Sequence, residues 1–100
     1  MKSARFVLTA RVELLAEIIY YNKTQSGLGT RFETAVEDAA ARALAFPQAG
    51  SPARGKTRKV KVKDFLFSLV YREEPYGILI FAVAAHARRP DYWLSRTRDR

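Results

Sequence analysis

The fold is decided by two neighbouring apolar segments, Phe65-Leu66-Phe67-Ser68-Leu69-Val70-Tyr71-Arg72 and the run from Ile78 to Ala85. Each is apolar on most of both faces, which is typical of strands inside a sheet rather than at its surface. The residues between them, Glu73-Glu74-Pro75-Tyr76-Gly77, have the composition of a turn. Strands that follow each other so closely predict an antiparallel pair.

A further strand is predicted upstream, where the sequence alternates with a period of two. Lys59, Lys61 and Lys63 point one way, and Val60 and Val62 point the other. The three lysines form a row with roughly 6–7 Å between neighbours. Such a row suits phosphates or a line of acidic side chains, and equally it protects an exposed strand from aggregation.

Two helices are predicted before these strands, after a short first strand at Phe6-Val7-Leu8. Thr9 is the expected N-cap of the first helix, and Ser26-Gly27-Leu28-Gly29 separates it from the second. The apolar stripe of the first helix is Ala10, Leu14, Ile18 and Tyr21. The buried stripe of the second helix is Phe32, Val36, Ala39, Ala43 and Phe46. Pro47 and Gly50-Ser51-Pro52 end the second helix.

These elements predict one α+β domain spanning residues 1–100. An N-terminal helical hairpin packs on one face of a small antiparallel sheet and leaves the other face partly open. Asp91 to Arg96 is expected to form a short C-terminal helix that holds Trp93 against the sheet. We expect Glu13, Glu17, Glu33 and Glu37 to be solvated on the helix faces.

Composition excludes several kinds of site. The chain has 100 residues and no cysteine, so no disulfide, thiol nucleophile or thiolate metal site is available. His86 is the only histidine, which argues against a metal site, and we expect no cofactor. Without a long apolar segment, we expect a cytoplasmic protein that does not contact membranes.

The charge is strongly positive and unevenly distributed. Lysine and arginine number 18 against 10 aspartates and glutamates, a formal net charge of +8. The acids are divided equally between residues 1–50 and residues 51–100, whereas the bases crowd residues 54–63 and 88–100. An excess of this size favours an acidic partner, either a nucleic acid or an acidic protein.

Several short motifs follow one another in a fixed order along the chain. They are Tyr20-Tyr21, Gly27-Leu28-Gly29 with Phe32, Pro47 with Gly50-Ser51-Pro52, the basic strand before Phe65 to Arg72, and Ile78 to His86 followed by Arg88-Arg89-Pro90-Asp91-Tyr92-Trp93. Taken in this order, they resemble the RelE/ParE superfamily of type II toxin–antitoxin toxins. The resemblance runs from about Phe6 to Arg96, and it implies the same helical hairpin on an antiparallel sheet. It also implies a cognate antitoxin and a toxin–antitoxin hetero-oligomer.

The resemblance implies two alternative targets. ParE-like members poison DNA gyrase, whereas RelE-like members cut messenger RNA on the ribosome. Ribonuclease members carry an arginine two residues before the Val-Tyr pair, and here that position is Ser68. A short neutral hydroxyl cannot replace a guanidinium that holds phosphate charge. The sequence is therefore closer to ParE-like members, and a basic module that binds nucleic acid without further chemistry is a third hypothesis.

Candidate site residues follow from charge and from the resemblance. For a ribonuclease that needs no metal, the catalytic candidates are Lys61, Lys63, Arg72, His86, Arg88 and Tyr92. For binding of the target or the antitoxin, the candidates are Arg58, Lys59, Lys61, Lys63, Arg72, Arg88 and Arg89. Arginine offers planar donors to phosphate or carboxylate, and histidine gives and takes protons near neutral pH.

Overall fold

The computed structural model describes residues 1–98 and confirms the α+β class. The chain begins with strand β1 (Ser3–Phe6), continues with helices α1 (Leu8–Thr24) and α2 (Leu28–Ala45), and then forms four more strands. These strands are β2 (Ser51–Ala53), β3 (Thr57–Lys61), β4 (Phe67–Glu74) and β5 (Gly77–Ala85). One strand thus precedes the helices, and one sheet collects all five strands in the order β1-β5-β4-β3-β2.

The prediction of an antiparallel sheet is correct for β2 to β5 and wrong for β1. β1 pairs in parallel with β5, with Ser3 opposite Gly77 and Phe6 opposite Ile80. The helical hairpin returns the chain, so β1 lies beside the last strand rather than the next one. Periodicity carries no information about which distant strand becomes a neighbour, and the mixed sheet was therefore not foreseen.

The C-terminal helix predicted over Asp91 to Arg96 is wrong in form. Only a 3₁₀ turn, Leu94–Thr97, is present, and the Thr97 hydroxyl closes it by donating to the Leu94 carbonyl at 2.8 Å. Asp91 has a positive φ of 60°, which breaks any regular helix at the point where it was expected to begin. Trp93 is nevertheless held against the sheet, as predicted.

The helices bury the stripes that the sequence indicates, except at Phe46. Phe46 is 69% exposed because α2 ends at Ala45 and the backbone of Phe46 is no longer helical. Thr9 is not the N-cap, since α1 already begins at Leu8 and Val7 still donates its N–H to the Ile80 carbonyl of β5. Ala10 and Leu14 are buried, and Ile18 and Tyr21 pack partly buried against the main core.

The core lies on both faces of the sheet. The main part fills the space between the helices and the sheet and includes Phe32, Leu69, Tyr71 and Ile80. A smaller cluster of Val70, Ala82, Ala84 and Trp93 covers the other face. That second face is therefore less open than predicted, because the segment around Trp93 packs across its middle.

Part of the outer edge of β5 is completed by side chains instead of a strand. β1 stops at Phe6, opposite Ile80, so the backbone groups of Phe81 and Val83 have no strand beside them. Glu13 of α1 accepts a hydrogen bond from the Val83 N–H, and Arg96 donates to the Phe81 carbonyl. The prediction that Glu13 is solvated is wrong, since this edge requires an acceptor at that point.

Candidate anion-binding cleft

A cleft of about 190 Å³ opens where the second face of the sheet meets the loop after β5. Strands β3, β4 and β5 contribute one wall, and the loop from His86 to Trp93 contributes the other. We call it the basic cleft and define it by its chemically active side chains, Lys59, Ser68, His86, Arg88, Arg89 and Trp93. The cleft lies at the end of β5, beside the middle of the second sheet face, which the segment around Trp93 covers.

Ser68 and His86 form the floor of the basic cleft. The Ser68 Oγ lies 2.9 Å from the His86 Nε2, a hydrogen-bond distance whose donor depends on the histidine tautomer. Ser68 is buried because its position on β4 pairs with Ala84 of β5. His86 is exposed, which leaves its ring accessible to a molecule in the cleft. A single imidazole held by a hydroxyl can exchange protons with a bound group.

Aromatic rings hold two of the cations in the cleft. The guanidinium carbon of Arg88 lies 4.0 Å from the centre of the Tyr92 ring, and the Lys59 Nζ lies 5.9 Å from the centre of the Trp93 ring. Contacts of this kind restrain the long side chains without neutralising their charge. Both charges therefore remain available to an anion.

One carboxylate, Asp91, also lies in the cleft wall. Its Oδ2 lies 3.6 Å from a terminal nitrogen of Arg54, so a cation outside the cleft already balances it. Arg89 is exposed at the rim and adds a third positive charge to those of Lys59 and Arg88. The cleft as a whole is positive, and this favours oxyanions such as phosphate or carboxylate.

Tyr92 lines the cleft with its ring, but its hydroxyl is engaged elsewhere. The hydroxyl donates to Glu13 Oε2 at 2.7 Å. Burial, together with the neighbouring Glu13 carboxylate, raises the pKa of Tyr92 far above its usual value near 10. This hydroxyl is a poor general base, and its role in the structure is to tie the loop to α1.

The other candidates do not meet at the cleft. Arg58 donates to the Gly50 carbonyl and to the Gln48 side chain, at 2.8 and 2.9 Å, and so holds the loop after α2. Arg72 pairs with Glu74 at 3.0 Å, with its guanidinium carbon 5.0 Å from the centre of the Phe81 ring. Both arginines are committed to the fold of this chain.

The lysine row divides into two parts. Lys59 belongs to the basic cleft, whereas Lys61 and Lys63 are exposed near the groove between α2 and the end of β3. Lys63 lies beyond the end of the strand, in the turn that leads to Phe65. Arg42 of α2 donates to the Lys61 carbonyl at 3.0 Å and joins the helix to this edge of the sheet.

Sequence reasoning did not foresee Ser68 as the partner of His86, nor the pairing of Glu13 with Arg96. The His86 and Ser68 side chains meet only because β4 and β5 pair with Ser68 opposite Ala84. The spacing of the two residues in the sequence gave no signal for this. Within residues 1–98, no group of three or more His, Cys, Asp or Glu side chains is placed to hold a metal ion.

Comparison with known proteins does not assign the chain to a family. No family model matches the chain, and no curated protein is significantly similar to it. In the described part of the chain, no helix combines the length and apolar character needed to cross a membrane.

Proposed function

We propose that this chain is the toxin of a type II toxin–antitoxin module, that it inhibits growth by binding DNA gyrase, and that a cognate antitoxin neutralises it. The observation that carries the proposal is the gathering of Lys59, Arg88 and Arg89 in one cleft. Among residues 1–98, the one carboxylate that lines this cleft, Asp91, is already paired with Arg54. The resemblance of the ordered motifs to RelE/ParE toxins supports the same function.

The hydrogen bonds made by two side chains, Ser68 and Tyr92, favour binding of a target over cleavage of RNA. Ser68 stands where ribonuclease members carry an arginine, and it is buried and bonded to His86. The Tyr92 hydroxyl is engaged by Glu13. A cleft that lacks a guanidinium at its floor and a free phenol at its wall is better suited to holding an anionic surface than to stabilising a phosphorane.

A supercoiling assay tests this target directly. Purified chain at micromolar concentration should inhibit gyrase, and the Arg88→Glu/Arg89→Glu variant should not. Growth arrest on induction of the chain, relieved by the same double substitution, is the matching result in cells. Unchanged gyrase activity with the unsubstituted chain would eliminate gyrase as the target.

A second function, ribosome-dependent cleavage of messenger RNA, is favoured by one observation, the exposed His86 held by Ser68 beside Arg88. In this reaction a 2′-hydroxyl attacks the adjacent phosphorus, and the bond to the 5′ oxygen breaks. His86 would take the proton from the 2′-hydroxyl and return it to the departing 5′ oxygen, which leaves a 2′,3′-cyclic phosphate, and Arg88 with Lys59 would hold the phosphate. Toeprinting on translating ribosomes should then show cuts at fixed codon positions, which disappear in His86→Ala.

The antitoxin is expected to cover the lysine row with an acidic segment. Lys61 and Lys63 are exposed, and the groove beside them extends along α2 past Arg42. A flexible acidic segment that orders on binding gains charge pairing there without disturbing the core.

A further inference from the structure

The Arg88 side chain lies in the basic cleft without a counter-charge of its own. Among residues 1–98, it forms no ion pair with a carboxylate. An exposed arginine on a loop ordinarily populates many rotamers, and a bound anion must order it at a cost in affinity. Here the Arg88 guanidinium carbon lies 4.0 Å from the centre of the Tyr92 ring, and both residues line the cleft. The stacked conformer of Arg88 is therefore the one that meets a ligand.

Tyr92 is in turn held at the hydroxyl end of its ring. The hydroxyl donates to Glu13 Oε2 at 2.7 Å, and Glu13 Oε1 accepts the Val83 N–H at 3.0 Å. Arg96 donates to both oxygens of the same carboxylate, each at 3.0 Å. Because β5 and the 3₁₀ turn bond both carboxylate oxygens, Glu13 cannot rotate without breaking several hydrogen bonds, and the Tyr92 ring keeps one orientation.

The two guanidinium groups beside the Tyr92 ring differ in charge balance. The Arg96 guanidinium carbon lies 5.2 Å from the ring centre, and this arginine is paired with Glu13. Arg88 lies closer, at 4.0 Å, and contacts the ring instead of a carboxylate. An aromatic face attracts a cation through its quadrupole and does not neutralise it. The network therefore neutralises Arg96 and presents Arg88 to the cleft with its charge intact.

We propose that Tyr92 is a positioning residue of the basic cleft: its ring holds the Arg88 guanidinium in place for an oxyanion, and Glu13 of α1 holds the ring. Preorganisation of this kind raises affinity, because less side-chain entropy is lost when the anion binds. The proposal rests on the proposed function in one respect, since it takes the basic cleft to be the surface that binds the target. Its test uses a small anion and does not require gyrase.

A double-mutant cycle on the binding of inorganic phosphate, followed by NMR titration near neutral pH, tests the proposal. Tyr92→Leu should weaken phosphate binding by about two- to fivefold, the range expected for loss of an exposed cation–π contact. In an Arg88→Ala background, the same substitution should change phosphate binding by less than about 1.5-fold, because the group that the ring positions is gone. Tyr76→Leu is the matched control: it removes a ring whose centre lies 4.1 Å from the Arg5 guanidinium carbon, outside the cleft, and should leave phosphate binding unchanged.

A measurement on the unsubstituted chain decides the matter if Tyr92→Leu does not fold. The ring current of Tyr92 should move the side-chain proton signals of Arg88 upfield of those of Arg31, an exposed arginine on α2. Signals of Arg88 that coincide with those of Arg31 would overturn the proposal. Three results of the cycle would also overturn it: an equal loss of phosphate affinity in both backgrounds, a gain of affinity in Tyr92→Leu, or no phosphate binding by the unsubstituted chain at about 50 mM. A chain that completes the cycle as expected but does not inhibit gyrase would refute the target and leave the role of Tyr92 in place.

Discussion

Glu13 and Arg96 lie 83 residues apart in the sequence and form a two-pronged ion pair in the folded chain. Both contacts between the Arg96 guanidinium and the Glu13 carboxylate measure 3.0 Å. The same two side chains bond the backbone of β5 at Val83 and Phe81. Two side chains thus do at this part of the edge what β1 does along Gly77 to Ile80.

Removal of the carboxylate at position 13 should destabilise the fold strongly. Glu13→Ala leaves Arg96, the Tyr92 hydroxyl and the Val83 N–H without their acceptor, and we expect a loss of about 3 kcal/mol in the free energy of unfolding. Urea unfolding followed by circular dichroism measures it. Glu37→Ala, at an exposed site on α2, is the control and should change stability by less than about 0.5 kcal/mol. Equal effects of the two substitutions would show that the network contributes nothing.

Gly29 should not tolerate a methyl group. A Cβ at this position would collide with the Ile18 carbonyl of α1, and the Gly29 N–H donates to the Asn22 side chain at 2.8 Å. Gly29→Ala must push α2 away from α1, at a cost of about 2–3 kcal/mol. Thr30→Ala, at the next and exposed position, serves as the control in thermal unfolding. A Gly29→Ala variant as stable as Thr30→Ala would contradict the close crossing of the helices.

Stability should decline in strongly alkaline solution, in part through Tyr92. Its raised pKa means that the folded chain keeps the phenol proton when the unfolded chain has lost it. The contribution is complete below about pH 10, the unfolded value, and is lost as the pH rises above it toward the folded value. Tyr92→Phe should cost about 1–2 kcal/mol near neutral pH and decline less steeply above pH 10. Urea midpoints from pH 8 to 11 test this, and an unchanged slope would contradict it.

Charge reversal in the basic cleft should remove activity and preserve the fold. Arg88 and Arg89 are exposed, so Arg88→Glu/Arg89→Glu should change the free energy of unfolding by less than about 1 kcal/mol. The concentration needed to inhibit the target should rise at least about tenfold. Arg31→Glu, an exposed cation on α2, is the control. If it relieves growth arrest to the same extent, overall charge rather than the cleft determines activity.

The lysine row should govern affinity for the antitoxin. Lys59→Glu/Lys61→Glu/Lys63→Glu should weaken the toxin–antitoxin complex by about tenfold or more, since three attractive contacts become repulsive. Isothermal titration at two salt concentrations measures the effect and its screening. An unchanged dissociation constant would place the antitoxin elsewhere on the chain.

The sequence predicted those parts of the fold that depend on local periodicity. The stripe containing Ala10 and Leu14 and the alternation of Val60 with its flanking lysines were both interpreted correctly, because helix and strand periods are visible within a few residues. The parallel partner of β1 could not be predicted in this way, since it depends on where 70 intervening residues bring the chain. The start of α1 was misplaced for a similar reason: Val7 still bonds to Ile80 of β5.

The sequence identified cations that could form the candidate site, but it did not show how they are arranged in space. Arg88 and Arg89 were named from charge and from the resemblance, and they do line the basic cleft. Arg58 and Arg72 have the same charge but are held by Gln48 and Glu74. A sequence shows where cations lie along the chain, but only the fold shows which of them already have a partner.

The central contacts of β5 determine when this domain can form during its synthesis. Gly77–Ala85 pairs with both β1 and β4, and it receives Glu13 from α1. The core side of the helices therefore lacks β5, the strand that contacts α1 most extensively, until about four-fifths of the chain has left the ribosome. Contacts that span so much sequence slow folding, and a nascent helical hairpin with its apolar side exposed is a natural substrate for chaperones. A truncated product that stops before β5 should accumulate in insoluble form.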